Sequence, residues 1–311
     1  MISKFILRCV LFLIFILSIL IVGIFLPTKN KIKDSFLSAQ IEKDSMLLNT
    51  PSPKFILIGG SSGSFGNNSQ IFKDSLRLNP INTSINAAIG LKYMLYHTLN
   101  YIQKGDIVIV IPEYDQFYGD LYYGNTTLLQ LLFEVPGENK TISLFHLFKV
   151  APYFFTYTST KYNFKNYIFE EQNNIIKNIY ARNSFNIYGD AVAHWGLKRQ
   201  HFIESDKIQS QFNKKAIIGL KKFENEVLKK GGEVFISFPG VTEESFDINI
   251  ESENYVYSQL ITNNFKVLGN PKDFRYSDTL AFNSTSHLNK AGADLHSKQI
   301  VKFLNEFLNK R

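Results

Sequence analysis

The 311-residue chain holds a single cysteine, Cys9. One thiol excludes a disulfide framework and a cysteine-based zinc site within the chain. Cys9 also precedes the long apolar run instead of following it, the wrong order for a lipoprotein cleavage site. The glycine-rich stretch near residue 60 has no Lys-Ser/Thr pair after it, so the Walker pattern is absent, and the G-x-G-x-x-G dinucleotide fingerprint is absent too. The net charge is +7, yet the lysines are dispersed and no basic block interleaves with aromatics, which argues against a nucleic-acid partner. Apolar residues make up 45% of the chain and aromatics 14%, enough for a core and unlike a disordered segment.

The longest apolar stretch runs from Cys9 to Leu26 without a charge. It approaches the roughly 20 residues that a membrane crossing needs. No small-residue cleavage site follows, so the reading is an uncleaved signal anchor over residues 1–27. Lys4 and Arg8 before the span favour a cytoplasmic amino terminus, whereas Lys29, Lys31 and Lys33 after it favour the reverse. We expect a single-pass, N-in arrangement with an extracytoplasmic domain, because no second span follows. A polar connector, helical or extended, is expected over 28–52, and the domain proper over 53–311.

Phe55–Ile58 is a short apolar run closed by Gly59-Gly60, which reads as a buried parallel strand. Ile85–Ile89 reads as a second strand, Ile107–Ile111 as a third and Glu233–Phe238 as a fourth. Helical spacing lies over Lys92–Gln103, Lys214–Lys230 and Ala291–Leu308. Strands alternating with helices predict an α/β fold, a central parallel sheet covered on both faces as a three-layer sandwich. Residues 120–210, rich in Tyr, Phe and Asn without a clear period, read as a helical or irregular insertion capping the site.

The residues with chemical potential follow the strands, where such folds build their sites. Ser61 stands in Ile58-Gly-Gly-Ser-Ser-Gly-Ser-Phe-Gly66, where glycines allow a tight turn that exposes a serine as nucleophile. The same segment also suits a plain turn or a phosphate-binding loop. His287 precedes the last helix and can serve as base, or as a capping or surface histidine. Asn86 and Gly90 offer N–H groups to an oxyanion, along with the Ser61 backbone, though an ordinary strand-to-helix turn suits them as well. Glu113 and Asp115 can orient partners or form a polar turn. Asp190 and His194, in the insertion, supply only two ligands, so no metal site is assigned.

The order strand–Gly-Gly-Ser, Asn…Gly, third-strand end, then His287-Leu-Asn…Gly292 resembles the SGNH/GDSL hydrolase superfamily, over residues 54–118 and 232–308. It is most similar to membrane-anchored SGNH-like proteins of polysaccharide and cell-wall acylation. The resemblance implies an SGNH, flavodoxin-like sheet and Ser61 and His287 as catalytic pair, with Ser61, Gly90 and Asn86 around the oxyanion. It further implies no cofactor, an acylated glycan as substrate and a membrane acyltransferase as candidate partner. Two departures stand out. Pro112-Glu113-Tyr114 replaces the third block, Gly-x-Asn-Asp, and an ionised Glu113 has no hydrogen to donate. The acid expected shortly before the histidine is missing: Asn283 and Ser284 stand there, leaving Asp278 or a backbone carbonyl to orient the ring. A degenerate domain that binds glycan or a membrane partner is the alternative.

Overall fold

The computed structural model describes residues 2–26, 34–137, 142–162, 179–203 and 207–309. Its centre is a four-stranded parallel sheet built from β1 (Lys54–Gly59), β2 (Asn79–Asn82), β3 (Ile107–Ile111) and β4 (Glu233–Ile236), in the order β2-β1-β3-β4. Ile56 stands between Ile81 and Val108, and Val108 pairs onward with Val234. Successive strand side chains point to opposite faces. Every residue of β1 is buried, so both of its faces are covered, which is why it reads as an unbroken apolar run.

Polar groups fix the amino-terminal edge of the sheet. The buried Asp106 carboxylate accepts the Lys54 N–H at 2.8 Å and the Gln103 N–H at 2.9 Å. The Lys54 ammonium, also buried, lies 3.4 Å from the same carboxylate and donates to Tyr101 O. The ends of β1 and β3 are thereby tied together before their apolar runs begin.

Helices Leu91–Leu99 and Lys214–Lys229 pack on one another, as do Ser69–Leu76 and Lys290–Leu308. The second strand is not where the apolar pattern predicts it. Asn79–Asn82 takes that place, and Ala87–Ile89 is a 3-10 turn capped by Asn86, whose Oδ1 accepts the Ala88 N–H. Pro80 hides this strand from a pattern reading, because proline lacks the ladder donor. It is tolerated here because β2 is an edge strand.

Residues of the expected connector belong to the domain from position 34 on. Phe36 packs on Phe65 and Phe185, and helix Gln40–Asn49 inserts the Lys43 side chain. The Lys43 ammonium donates to Asn82 O and Gly189 O at 2.7 and 2.6 Å. Burial pushes its pKa down to about 7, against the attraction of Asp190. The insertion contributes helices Thr126–Glu134, Leu144–Val150 and Pro152–Lys161, followed over 179–203 by short turns. The amino-terminal helix, Ile2–Phe25, is long and apolar enough to cross a membrane.

Candidate functional site

In the strand order β2-β1-β3-β4 the direction of winding reverses between β1 and β3. A crevice opens at the carboxyl ends of strands at such a point. β1 leads through Gly59-Gly60 into a short helix, Ser61–Phe65, and β3 leads into Pro112-Glu113. The two meet there. Ser61 Oγ donates to Glu113 Oε1 at 3.3 Å, and the Ser62 N–H donates to the same oxygen at 2.9 Å. Gly60 makes the approach possible, since a Cβ on it would lie 2.7 Å from Ala87 N and would strike the Glu113 carboxylate. Burial raises the Glu113 pKa, and the hydrogen bonds from Ser62 and Ser61 oppose that rise.

The β3 loop is locked to the neighbouring loop through buried Gln116. Its Oε1 accepts the Glu113 N–H at 3.1 Å and its Nε2 donates to Ala87 O at 3.0 Å. Gly90 is committed to structure. Its N–H donates to Ala87 O at 2.9 Å, and its φ of 89° and close approach to Gly124 require the absence of a side chain. The oxyanion role expected of the Gly90 N–H is therefore taken up by an internal bond. Asn86 spends its Oδ1 on Ala88, while its Nδ2 has no acceptor among the described residues. The Ser61 N–H, at the first helical position, lies outside the intrahelical ladder.

His287 lies in a loop closed by the antiparallel bridge Ala281–Leu288. Its Nδ1 is 2.9 Å from Asn283 Oδ1 and 3.4 Å from the Tyr180 hydroxyl, and Asn283 Nδ2 donates to that hydroxyl at 2.9 Å. With the amide so oriented, its oxygen accepts from Nδ1–H, which leaves the lone pair on Nε2. Asp278, the alternative orienter, does not bond to the ring, and its Oδ1 is buried without a partner among the described residues. The imidazole is stacked on Phe65, ring centroids 4.3 Å apart. Phe65 and Ser61 are four residues apart on one short helix and so share a face. Among the described residues no hydrogen bond joins His287 to Ser61, whose hydroxyl is turned to Glu113. Burial, with a contribution from His194, pushes the His287 pKa down to about 3.

The rest of the late motif is structural. Asn289 caps the last helix by accepting the Gly292 N–H at 3.0 Å, and a Cβ on Gly292 would meet Leu280 O at 2.7 Å. His194, from the insertion, donates through Nε2 to Leu288 O at 2.8 Å and packs between Phe65 and Phe282. Asp190 is fully buried and accepts from Ser69 N, Ser69 Oγ, Asn82 Nδ2 and Asn186 Nδ2. Asp190 and His194 thus hold separate structural contacts, and no group of three or more potential ligands converges among the described residues. Asp115 is exposed on the turn after Glu113.

Phe65, Tyr180 and Gln116 are the neighbours that the sequence reading missed, and His194, read there only as one of two possible ligands, packs on Phe65 instead. Only Phe65, four residues after Ser61, carried a readable signal. No protein-family model matches the chain, and no curated protein matches its sequence.

Proposed function

We propose that the chain is a membrane-anchored serine esterase or O-acyltransferase of the SGNH type, acting on acylated cell-envelope or extracellular glycans. The observation that carries this reading is the stacking of His287 on Phe65, the residue that shares a helix face with Ser61. In this reading Ser61 Oγ turns from Glu113 and attacks the acyl carbonyl. Its proton passes to His287 Nε2, and the oxyanion receives the Ser61 N–H and Asn86 Nδ2. Collapse expels the glycan hydroxyl, which takes the proton back from Nε2. Water then frees the acid, or a second hydroxyl takes the acyl group. Asn283 Oδ1 holds the tautomer in place of a carboxylate. Transfer in place of hydrolysis would involve a membrane acyltransferase as partner.

A three-layer sandwich of the SGNH type belongs to the same proposal, supported by the switch-point geometry and the two packed helix pairs. So does a single span with the amino terminus inside and the domain outside the cytoplasm, supported by the apolar helix.

A second reading, a catalytically degenerate domain that binds glycan or a membrane partner, is favoured by the bond from Ser61 to Glu113 and the commitment of the Gly90 N–H. Intact-mass labelling of the full-length protein with a fluorophosphonate separates the two. The enzyme reading expects one adduct, lost in Ser61→Ala and strongly slowed in His287→Ala. No adduct on a folded protein favours the degenerate domain.

A further inference from the structure

The amino-terminal helix does not stand apart from the domain. The absence of a side chain at Gly23 lets it lie against helix Pro152–Lys161, since a Cβ there would be 2.9 Å from both Thr158 Cβ and Tyr162 Cε2. The Lys161 ammonium donates to Ile24 O and Leu26 O at 3.2 and 3.1 Å, a cation on the carbonyls at a helix carboxyl end. The Tyr162 hydroxyl donates to Ile19 O. Lys161 is fixed in turn by the buried Glu134 carboxylate, 3.2 Å away.

These contacts set a depth. The helix has 24 residues, about 36 Å at 1.5 Å per residue, against a hydrocarbon core of about 30 Å. Ile19 lies six residues before Phe25, about 9 Å along the axis. The carboxyl end of helix Pro152–Lys161 therefore reaches the boundary between headgroups and acyl chains whenever the amino-terminal helix crosses a bilayer.

The neighbouring helix, Leu144–Val150, is amphipathic in the inverted sense. It buries His146 and Val150, and the His146 ring bonds to Tyr123 O at 2.6 Å. Leu144, Phe145 and Phe148 face outward, 75%, 59% and 76% exposed, and Phe155 on the next helix is 66% exposed. Single exposed apolar residues need no explanation, but a cluster of this size does. Cations accompany it. The Lys92 ammonium lies 5.1 Å from the Phe145 ring, and Lys149 lies 5.3 Å from Tyr123. Large apolar groups beside lysines are the composition of a surface that enters a membrane interface. Helix Pro152–Lys161, which carries Phe155 and packs on Leu144–Val150, contacts the amino-terminal helix, and this continuity points to lipid as the occupant.

We propose that Leu144, Phe145, Phe148 and Phe155 form a second membrane contact, seated in the headgroup–acyl boundary of the leaflet in which the amino-terminal helix ends, with Lys92 and Lys149 against anionic headgroups. This rests on the membrane placement proposed above and is independent of the ester chemistry.

The test is spin-label depth measurement on the full-length protein in nanodiscs of mixed zwitterionic and anionic phospholipid. Single cysteines at Phe145, Phe148 and Phe155, at Ile218 on helix Lys214–Lys229, and at Ile14 in the amino-terminal helix are introduced on a Cys9→Ser background. The expected result is a ratio of oxygen to water-soluble nickel accessibility several-fold higher at 145, 148 and 155 than at 218, and highest at 14. Labels at 145, 148 and 155 that match 218 while 14 remains in lipid would overturn the second contact and leave the span standing. Shielding of these labels from both probes would mean that a second copy covers the face, which also overturns lipid as the occupant. A water-exposed label at 14 would overturn the membrane placement and this inference with it.

Discussion

The His287 imidazole lies face to face on the Phe65 ring, their planes 12° from parallel. Phe65 is fully buried and also touches Phe36, Tyr180 and His194, so one ring links the serine helix, the insertion and the late histidine loop. Phe65→Ala is expected to destabilise the fold by about 3–5 kcal/mol through the cavity it leaves. Phe65→Leu keeps most of the volume at a smaller cost. The leucine variant should fold, as judged by urea unfolding, yet react with fluorophosphonate much more slowly than the parent, because the imidazole loses its flat support. An unchanged labelling rate would mean that the stack has no part in positioning the base.

Asn283 orients the same ring through Nδ1, while burial sets its protonation. With its pKa pushed down to about 3, His287 is neutral across pH 5–9, so the labelling rate of Ser61 should show no histidine step near 6.5. Asn283→Asp puts a carboxylate beside Nδ1, which raises the imidazole pKa. The base form is then lost as pH falls through that higher value, and a step should enter the rate profile. Labelling rates of parent and variant over this range check both statements.

Asp190 is a clip between the insertion and the sheet. All four hydrogen bonds of its carboxylate are accepted from donors. Asp190→Asn would turn an amide NH2 toward two of those donors, and breaking a buried network of this kind costs about 3–5 kcal/mol. The melting temperature should fall sharply in this variant. A chelator should leave the parent's melting temperature unchanged, and a fall would point to a metal that the described residues do not gather.

Glu253 gives a pH-dependent test of the core. Burial drives its pKa up to about 8, well above the roughly 4.3 of an unfolded chain. Between those values the folded protein keeps a proton that the unfolded chain has released. Its contribution is present in full below about pH 4.3 and is lost as pH rises toward 8, with a slope of up to about 1.4 kcal/mol per unit. Glu253→Gln removes that slope. Urea unfolding at pH 5 and pH 8 should show the variant gaining on the parent at the higher pH, and an equal gap at both would contradict it.

The strands that were legible are those whose side chains are apolar on both faces. Phe55–Ile58 and Ile107–Ile111 are covered on each side and leave an unbroken apolar run in the sequence. β2 was illegible because Pro80 and two asparagines carry it, and its stability comes from the neighbour it pairs with. The same division runs through the site. Ser61 and His287 stand next to glycines and caps that have local signatures. Lys43 bonding to Gly189, Tyr180 to Asn283 and His194 to Leu288 join residues that lie about a hundred positions apart or more, and no local pattern encodes such pairings. Glu113 was legible as a polar residue after a strand, but its partner became visible only once β1 and β3 lay side by side.

The grip of Lys161 and Tyr162 on the last two turns of the amino-terminal helix has a kinematic consequence. A domain on a slack leash sweeps a hemisphere and meets substrates at any height. A domain clamped to its own span keeps one tilt and one altitude, and its search reduces to two dimensions, the lateral drift of the whole body through the bilayer. In the membrane placement proposed here, a glycan is within range only if it passes at the height of the Ser61 crevice.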